Sequence, residues 1–262
     1  MQMPHVEINI TQNEAKKLLI KKKCFLIRWE DSFDSLPGSH WWHIIKDKVE
    51  DLDALSRNTR SKIRRGKKYL QAFPCSRDLI IKNGYDVYSA AFKRYSTFEQ
   101  RYSKHDFKNA VFNFPKDAAF WGVFENKTER LVAFSENIVR DDACFYSTIW
   151  FEPESLRKYA SYVLIHEMNK YYLNSMGLKY VTDGSKSISH KTNIQNYLIN
   201  SFFFRKAYSN LRVVYFPGMY IIICCLYPFR HYLKSHPSSH LQKLSVLLEQ
   251  ERIRRLCAKN WS

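Results

Sequence analysis

Residues Ala143–Gly184, ACFYSTIWFEPESLRKYASYVLIHEMNKYYLNSMGLKYVTDG, decide the fold. Ala143–Phe151 is aromatic and β-branched and reads as a strand. The period then changes. Leu156, Ala160, Leu164, Met168, Tyr172 and Met176 recur at every fourth position, close to one face of a helix. Pro153 precedes that helix, Ser155 can cap it, and Gly177 stands where a left-handed C-cap is wanted. Leu178–Thr182 follows as a short apolar strand before Asp183-Gly184. A helix of about six turns leaves no room for a hairpin. The two strands are therefore expected to be parallel, joined by a right-handed crossover and splayed at their C-terminal ends.

Outward from this unit, Ala118–Glu125 (AAFWGVFE) and Arg130–Val139 (RLVAFSENIV) form a hairpin around Asn126-Lys127-Thr128, and Asp141-Asp142 is a further turn. Downstream, Asn193–Phe203 is a second helix and Ala207–Tyr215 a closing strand. Upstream, a basic helix is expected from about Asp53 to Phe73, with Leu55, Thr59, Ile63, Gly66, Leu70 and Phe73 on its apolar face and Pro74 ending it. Gly84–Tyr95 reads as another helix and Ser96–Phe114 as an aromatic loop over the site. Before these lie a helix at Glu14–Lys22 and strands at Cys24–Trp29 and within Leu36–Lys46. The C-terminal end holds an aromatic tract, Phe216–Tyr232, a polar hinge at Ser235–Ser239, and a helix at Leu241–Ala258. The expected organisation is a flanking lobe at 1–53, a core at 54–215 and a C-terminal tract at 216–262. The fold class is α/β (α+β), a mixed sheet with helices on both faces.

This order, with Leu55–Lys68 (LSRNTRSKIRRGKK), Leu178–Gly184 (LKYVTDG) and Phe203–Tyr208 (FFRKAY), resembles the GNAT (Gcn5-related) acyltransferases. Within them it is more similar to the Fem-type and acetyltransferase-like bacterial proteins. The likeness covers most of Leu55–Tyr215. It implies transfer of an acyl group from a thioester donor, acyl-CoA or acyl carrier protein, to an amine, without metal. Many relatives hold the donor pyrophosphate on a Q/R-x-x-G-x-G/A loop. Here that loop corresponds to Arg157-Lys158-Tyr159-Ala160-Ser161-Tyr162, which implies Arg157, Lys158, Ala160 and Ser161 as donor-binding residues. Ala160 and Tyr162 replace positions usually kept small, and the Gly-Phe turn after the last helix lacks its glycine. The Fem-type branch, which uses aminoacyl-tRNA, does not depend on that loop. A third reading is a non-catalytic RNA- or membrane-binding module that keeps the fold.

The net charge is +17 and unevenly spread. Ala54–Arg77 carries eight Lys or Arg and no acid, and Gly184–Leu248 carries eight more and again no acid. Such tracts mark an anionic partner: a membrane surface, tRNA or a phosphorylated substrate. No cationic-then-apolar leader precedes residue 20, and the six cysteines lack C-x-x-C spacing, so a cytoplasmic location is expected; the aromatic Phe216–Tyr232 tract, flanked by Arg212, Arg230 and Lys234, adds an expected peripheral association with the inner membrane face. Pro217 and Pro228 break the longest apolar run below the length of a membrane span.

Amide-forming acyl transfer asks the protein to align donor and amine, polarise a carbonyl and take a proton. Glu136 is a candidate base. The resemblance implies Tyr208 as proton donor to the leaving group. Asp183, at the end of the strand lining the wedge, could orient an acceptor amine or simply serve the turn before Gly184. Arg57, Arg60 and Arg64 are candidates for anionic substrate. His166-Glu167-Met168-Asn169-Lys170 begins like a zincin helix, but Lys170 replaces the second histidine.

Overall fold

The computed structural model describes residues 3–94, 100–188, 193–235 and 238–259. Serine and threonine caps start most of the early helices. Thr11 and Glu14 form a capping box for α1 (Gln12–Lys22). Strands β1 (Leu26–Asp31) and β2 (Trp41–Lys46) follow. Ser56 caps α2 (Arg57–Lys67), which leads to β3 (Leu70–Cys75). Ser76 caps α3 (Arg77–Phe92), and Ser103 caps α4 (Lys104–Phe112). Next come β4 (Ala118–Glu125), β5 (Leu131–Arg140) and β6 (Ala143–Phe151). Helices α5 (Pro153–Arg157) and α6 (Ala160–Asn169), with a π turn at Lys170–Ser175, lead to β7 (Tyr180–Ser185). The chain ends with α7 (Ile194–Phe202), β8 (Arg205–Tyr215), α8 (Pro217–Leu226), a 3₁₀ turn at Tyr227–Phe229, α9 (Arg230–Ser235) and α10 (Ser239–Lys259).

The chain divides into two compact units. One comprises Ile45–Gly184 and Ile194–Arg205. Its strands run in the order β7-β6-β5-β4-β3. Pairs from β3 to β6 are antiparallel, whereas β6 and β7 are parallel. On β4, Phe120 and Phe124 pack with Ile80, Val87, Tyr88 and Phe107 of α3 and α4. Trp121 points the other way and donates from Nε1 to the Tyr172 hydroxyl at 3.0 Å. Helices therefore cover both faces, which is why Phe120–Phe124 is buried without alternation.

The other unit comprises Met1–Ile44, Ser185–Asn193 and Lys206–Ser262. Here β1 pairs antiparallel with β8, from Leu26 opposite Tyr215 to Asp31 opposite Asn210. That pairing gathers the first residues and the C-terminal tract into one unit. Trp41, Leu211, Val213 and Tyr215 pack with Ile223, Leu233, Leu248 and Ile253. Ala15 and Leu19 of α1 cover Val214.

Several expectations need correction. The basic helix stops at Lys67, and Leu70–Cys75 is a strand paired with β4. Pro74 fits there because β3 is the last strand in the order, where a missing N–H leaves no partner wanting. Helix α3 begins seven residues before Gly84, at the Ser76 cap. Gly84 lies inside it because a Cβ would stand 2.9 Å from Ile80 and 3.0 Å from Phe107. The segment read as a loop over the site contains α4; 95–99 lie outside the described residues. The long crossover helix is broken at Tyr159, whose φ is 65°. Asp183 and Gly184 belong to β7 rather than to a turn after it. In the polar hinge, 236–237 lie outside the described residues. Gly177 has the left-handed backbone expected of it, and Phe203 adopts φ 57°, a left-handed conformation at a non-glycine residue.

Gly66 is where α2 crosses the α5–α6 junction. A Cβ there would lie 2.6 Å from Val163 Cγ2, 3.2 Å from the Lys158 carbonyl and 3.3 Å from that of Tyr159. Helix propensity alone predicts that Gly66→Ala stabilises by about 1 kcal/mol. Crowding against backbone is expected to win, giving a net loss of about 1–3 kcal/mol in urea unfolding. A variant as stable as the parent would show that the crossing relaxes freely.

Candidate active site

The parallel pair is short. Ala143, Cys144 and Phe145 face Tyr180, Val181 and Thr182, and there the pairing ends, although β6 runs on to Phe151 and β7 to Ser185. The strands part at this point, beside a register shift. Glu136 of β5 faces Thr148, but Asn137 faces Tyr146, so Ser147 is an extra residue on β6. Tyr146 consequently points to the α6 side and donates to Asn169 Oδ1 at 2.9 Å, whereas Thr148 points to the α3 side and donates to Glu136.

By strand alternation Asp183 shares the α6 side with Cys144 and Tyr146, while Gly184 lies against Phe145. Asp183 is half-buried and has no hydrogen-bond or ionic partner among the described residues. Burial pushes its carboxyl up to about 7. Since α5 leaves the end of β6, the start of α6 and the end of β7 lie at the same edge of this βαβ unit.

On the same side lies a buried polar cluster. Glu50 accepts from Lys46 Nζ at 3.1 Å and from Asn169 Nδ2 at 3.4 Å, and meets His166 Nδ1 at 2.9 Å. Lys46 also donates to the Phe202 carbonyl at 3.0 Å. Asn174 clamps the Glu50 backbone through two bonds of 2.8 Å. Tyr146 joins through Asn169, and burial raises its pKa well above the usual phenol value. His166 is thus held by a carboxylate rather than aligned with Lys170, which is exposed. The cluster escaped sequence reading. Glu50 and His166 are 116 positions apart, and the only local signal is that His166 follows the apolar run Val163-Leu164-Ile165.

At the start of α6, backbone N–H groups of Lys158 and Tyr159 bond to the Ser155 and Leu156 carbonyls, so neither is left for a donor phosphate. The Ser161 hydroxyl accepts from Tyr197 at 3.2 Å. The Tyr162 ring packs edge-on against Tyr197 at 5.2 Å and against Phe202 at 5.9 Å. Its hydroxyl accepts from Lys62 at 3.0 Å. The ring therefore turns to α7 and α2. Arg157 pairs with Glu154, and Lys158 with Glu125 at 2.7 Å.

Arg57, Arg60, Ser61, Arg64, Arg65 and Lys68 line one open groove along α2. Ile63 and Leu70 are buried, as expected, while Arg57, Arg64, Arg65 and Lys68 are exposed. Arg60 donates to the Asp53 carbonyl at 2.6 Å, and Arg65 lies 4.9 Å from the centre of the Tyr159 ring.

Glu136 is buried on the α3 side and locked by Thr148; burial raises its pKa while the Thr148 hydroxyl lowers it. Glu136 and Asp183 lie on opposite faces of the sheet. Tyr208 sits on β8 in the other unit, edge-on to Trp42 at 6.3 Å.

This geometry can be set beside known structures. The FemX crystal structure superposes with a TM-score of 0.59 over 80% of this chain and 77% of that one, at 10% identity. The fold is GNAT-like. A conserved protein of unknown function from Bacteroides thetaiotaomicron VPI-5482 gives 0.49 at 14% identity, covering 77% of this chain and 66% of that one. A tandem GNAT protein from the clavulanic acid biosynthesis pathway gives 0.48 at 11% identity, covering 76% of this chain and 67% of that one. No family model matches the sequence, and no curated protein matches it.

Two stability predictions follow from the buried groups. Folded Asp183 keeps its proton to about pH 7, whereas the unfolded carboxyl releases it near pH 4. Between these values the folded state binds more protons, so this residue's contribution falls as pH rises. Asp183→Asn should stabilise by about 1–2 kcal/mol at pH 8 and by nothing at pH 4 in urea titrations; equal gains at both would contradict the assignment. Glu50→Leu strands Lys46 in the interior and should cost about 3–5 kcal/mol.

Proposed function

We propose that the protein is a GNAT-fold transferase that moves an acyl group from an activated ester or thioester to an amine. The observation that carries this is Asp183, a carboxyl at the mouth of the parting strands with no ionic partner among the described residues. A group poised near neutrality can hold an ammonium and take its proton as the amine attacks. The splayed strands leave backbone groups of β6 and β7 without each other, so donor or acceptor can complete the sheet. The Lys46–Glu50–His166–Asn169–Tyr146 cluster fixes α6 against β6 and so positions the wedge. Ala160 and Ser161, at the helix start, face the donor end, with Arg157 and Lys158 beside them. Glu136, on the opposite face of the sheet, remains a second proposed base, and Tyr208 a proposed proton donor to the leaving group.

One observation favours an aminoacyl ester on a polyanionic carrier such as tRNA over acyl-CoA or acyl carrier protein. Tyr197 occupies the Ser161 hydroxyl, where a pyrophosphate would need access, while the arginine groove on α2 offers several cations to phosphates.

The test is amide formation by the purified chain with a panel of acyl-CoA and aminoacyl-tRNA donors and small amines. Asp183→Asn should lower kcat by about 10²–10⁴-fold and leave donor affinity unchanged. Reversing Arg57, Arg60 and Arg64 to glutamate should weaken tRNA binding at least tenfold at low salt and flatten its salt dependence. Donor turnover by Asp183→Asn at the parent rate would overturn the role given to the carboxylate. Binding of neither donor class by the parent would overturn the transferase reading.

A further inference from the structure

Helix α8 is apolar on every side, yet only one side is covered. Met219, Ile223, Leu226 and Leu233 follow each other at helical spacing and pack on the core of their unit. The opposite stripe, Ile221, Ile222, Cys225, Phe229 and Tyr232, is exposed, with Ile221 and Phe229 each 61% open to solvent. The stripe continues onto a second segment of the same unit. Phe216 N donates to the Phe25 carbonyl at 2.9 Å, which sets the start of β1 beside the start of α8. Phe25, 72% exposed, and Ile20, at the end of α1, extend the apolar surface there. Soluble surfaces rarely carry a contiguous patch of this kind without a use.

The rim is cationic. Lys21, Lys22 and Lys23 close α1 next to Phe25, and all three are exposed. Between Ala15 and Trp29 there is no acidic residue, and between Gly184 and Leu248 there is none. The two acid-free segments meet at the Phe25–Phe216 bond. No described helix is long and apolar enough to cross a bilayer.

From this juxtaposition we infer that the unit docks on an anionic phospholipid bilayer. Helices α8 and α9 lie in the interfacial plane with Ile221, Ile222, Phe229 and Tyr232 among the acyl chains, and Lys21–Lys23 sit against the headgroups. Charge complementarity selects this occupant. A second copy related by symmetry would bring the Lys21–Lys23 cluster against its own like charges. A nucleic acid would leave the aliphatic side chains without partners. The inference is independent of the transferase reading, because no residue of the wedge takes part.

The experiment is flotation of the full chain with phosphatidylcholine vesicles, with and without 30 mol% phosphatidylglycerol, in low and high salt. The parent should float with the anionic vesicles, at least tenfold more than with neutral ones, and less in high salt. Ile221→Ser/Ile222→Ser/Phe229→Ser and, separately, Lys21→Glu/Lys22→Glu/Lys23→Glu should each lower partitioning at least tenfold with unchanged circular dichroism. Arg57→Glu/Arg60→Glu/Arg64→Glu on α2 should float like the parent. Phe229→Trp should be quenched by brominated acyl chains. Failure of the folded parent to float with anionic vesicles would overturn the inference. So would loss of flotation only in the α2 variant, or a parent dimer in sedimentation equilibrium that the serine variant dissolves.

Discussion

One extra residue on β6 is the constraint from which the site follows. In a regular strand Tyr146 and Thr148, as alternate residues, would point to the same face; the unpaired Ser147 between them breaks that alternation. The bulge sends Tyr146 toward α6 and Thr148 toward Glu136. It also bends β6 where its pairing with β7 stops. The inserted residue thus links the two faces: Tyr146 reaches the buried polar cluster through Asn169 on one, and Thr148 holds Glu136 on the other.

The charges around that opening are treated unequally. Glu50 is buried but has Lys46, His166 and Asn169 around it, so its desolvation is offset and the α6–β6 contact becomes specific. Among the described residues Glu136 has the Thr148 hydroxyl and, less directly, the Arg77 charge. Asp183 has no such partner among the described residues, although burial penalises its charge as well. A group held in that condition costs stability, and folds tolerate such a cost where chemistry needs the group. The cationic residues are distributed by the opposite rule. On α2 the arginines project outward while Thr59, Ile63 and Gly66 face inward, so the helix spends its apolar stripe on α6 and leaves the arginines to solvent.

Period and punctuation made much of the architecture legible in the chain. The strands β4, β5 and β6 lie where aromatic and β-branched runs end at Asn126 and Asp141, and the parallel partner lies beyond the Gly177 cap. The failures have identifiable causes. Leu70 and Phe73 continued a helical spacing by chance, but the chain leaves α2 at Lys68 because β4 offers Leu70–Cys75 an edge. Gly84 resembled a helix start, yet it is a mid-helix glycine selected by the nearness of Phe107. Tyr159 carries no local signal for a positive φ; the break in the crossover helix comes from its packing on α2. Of the site, Asp183 could be named from its place at the end of a strand, but its burial could not.

Local chemistry is thus what the sequence by itself determined: where elements begin, which faces are apolar, that β6 and β7 must run parallel, and that two tracts hold cations without acids. These follow from interactions within a few positions along the chain, from caps, periods and the handedness of the crossover. The tertiary structure alone decided which distant groups share a surface. Glu50 meets His166, Tyr197 meets Ser161, and Phe25 meets Phe216 across separations no local pattern encodes. The physical reason is that a pairing register and a bulge set these meetings, and both are chosen by how completely the whole sheet can bury its two faces.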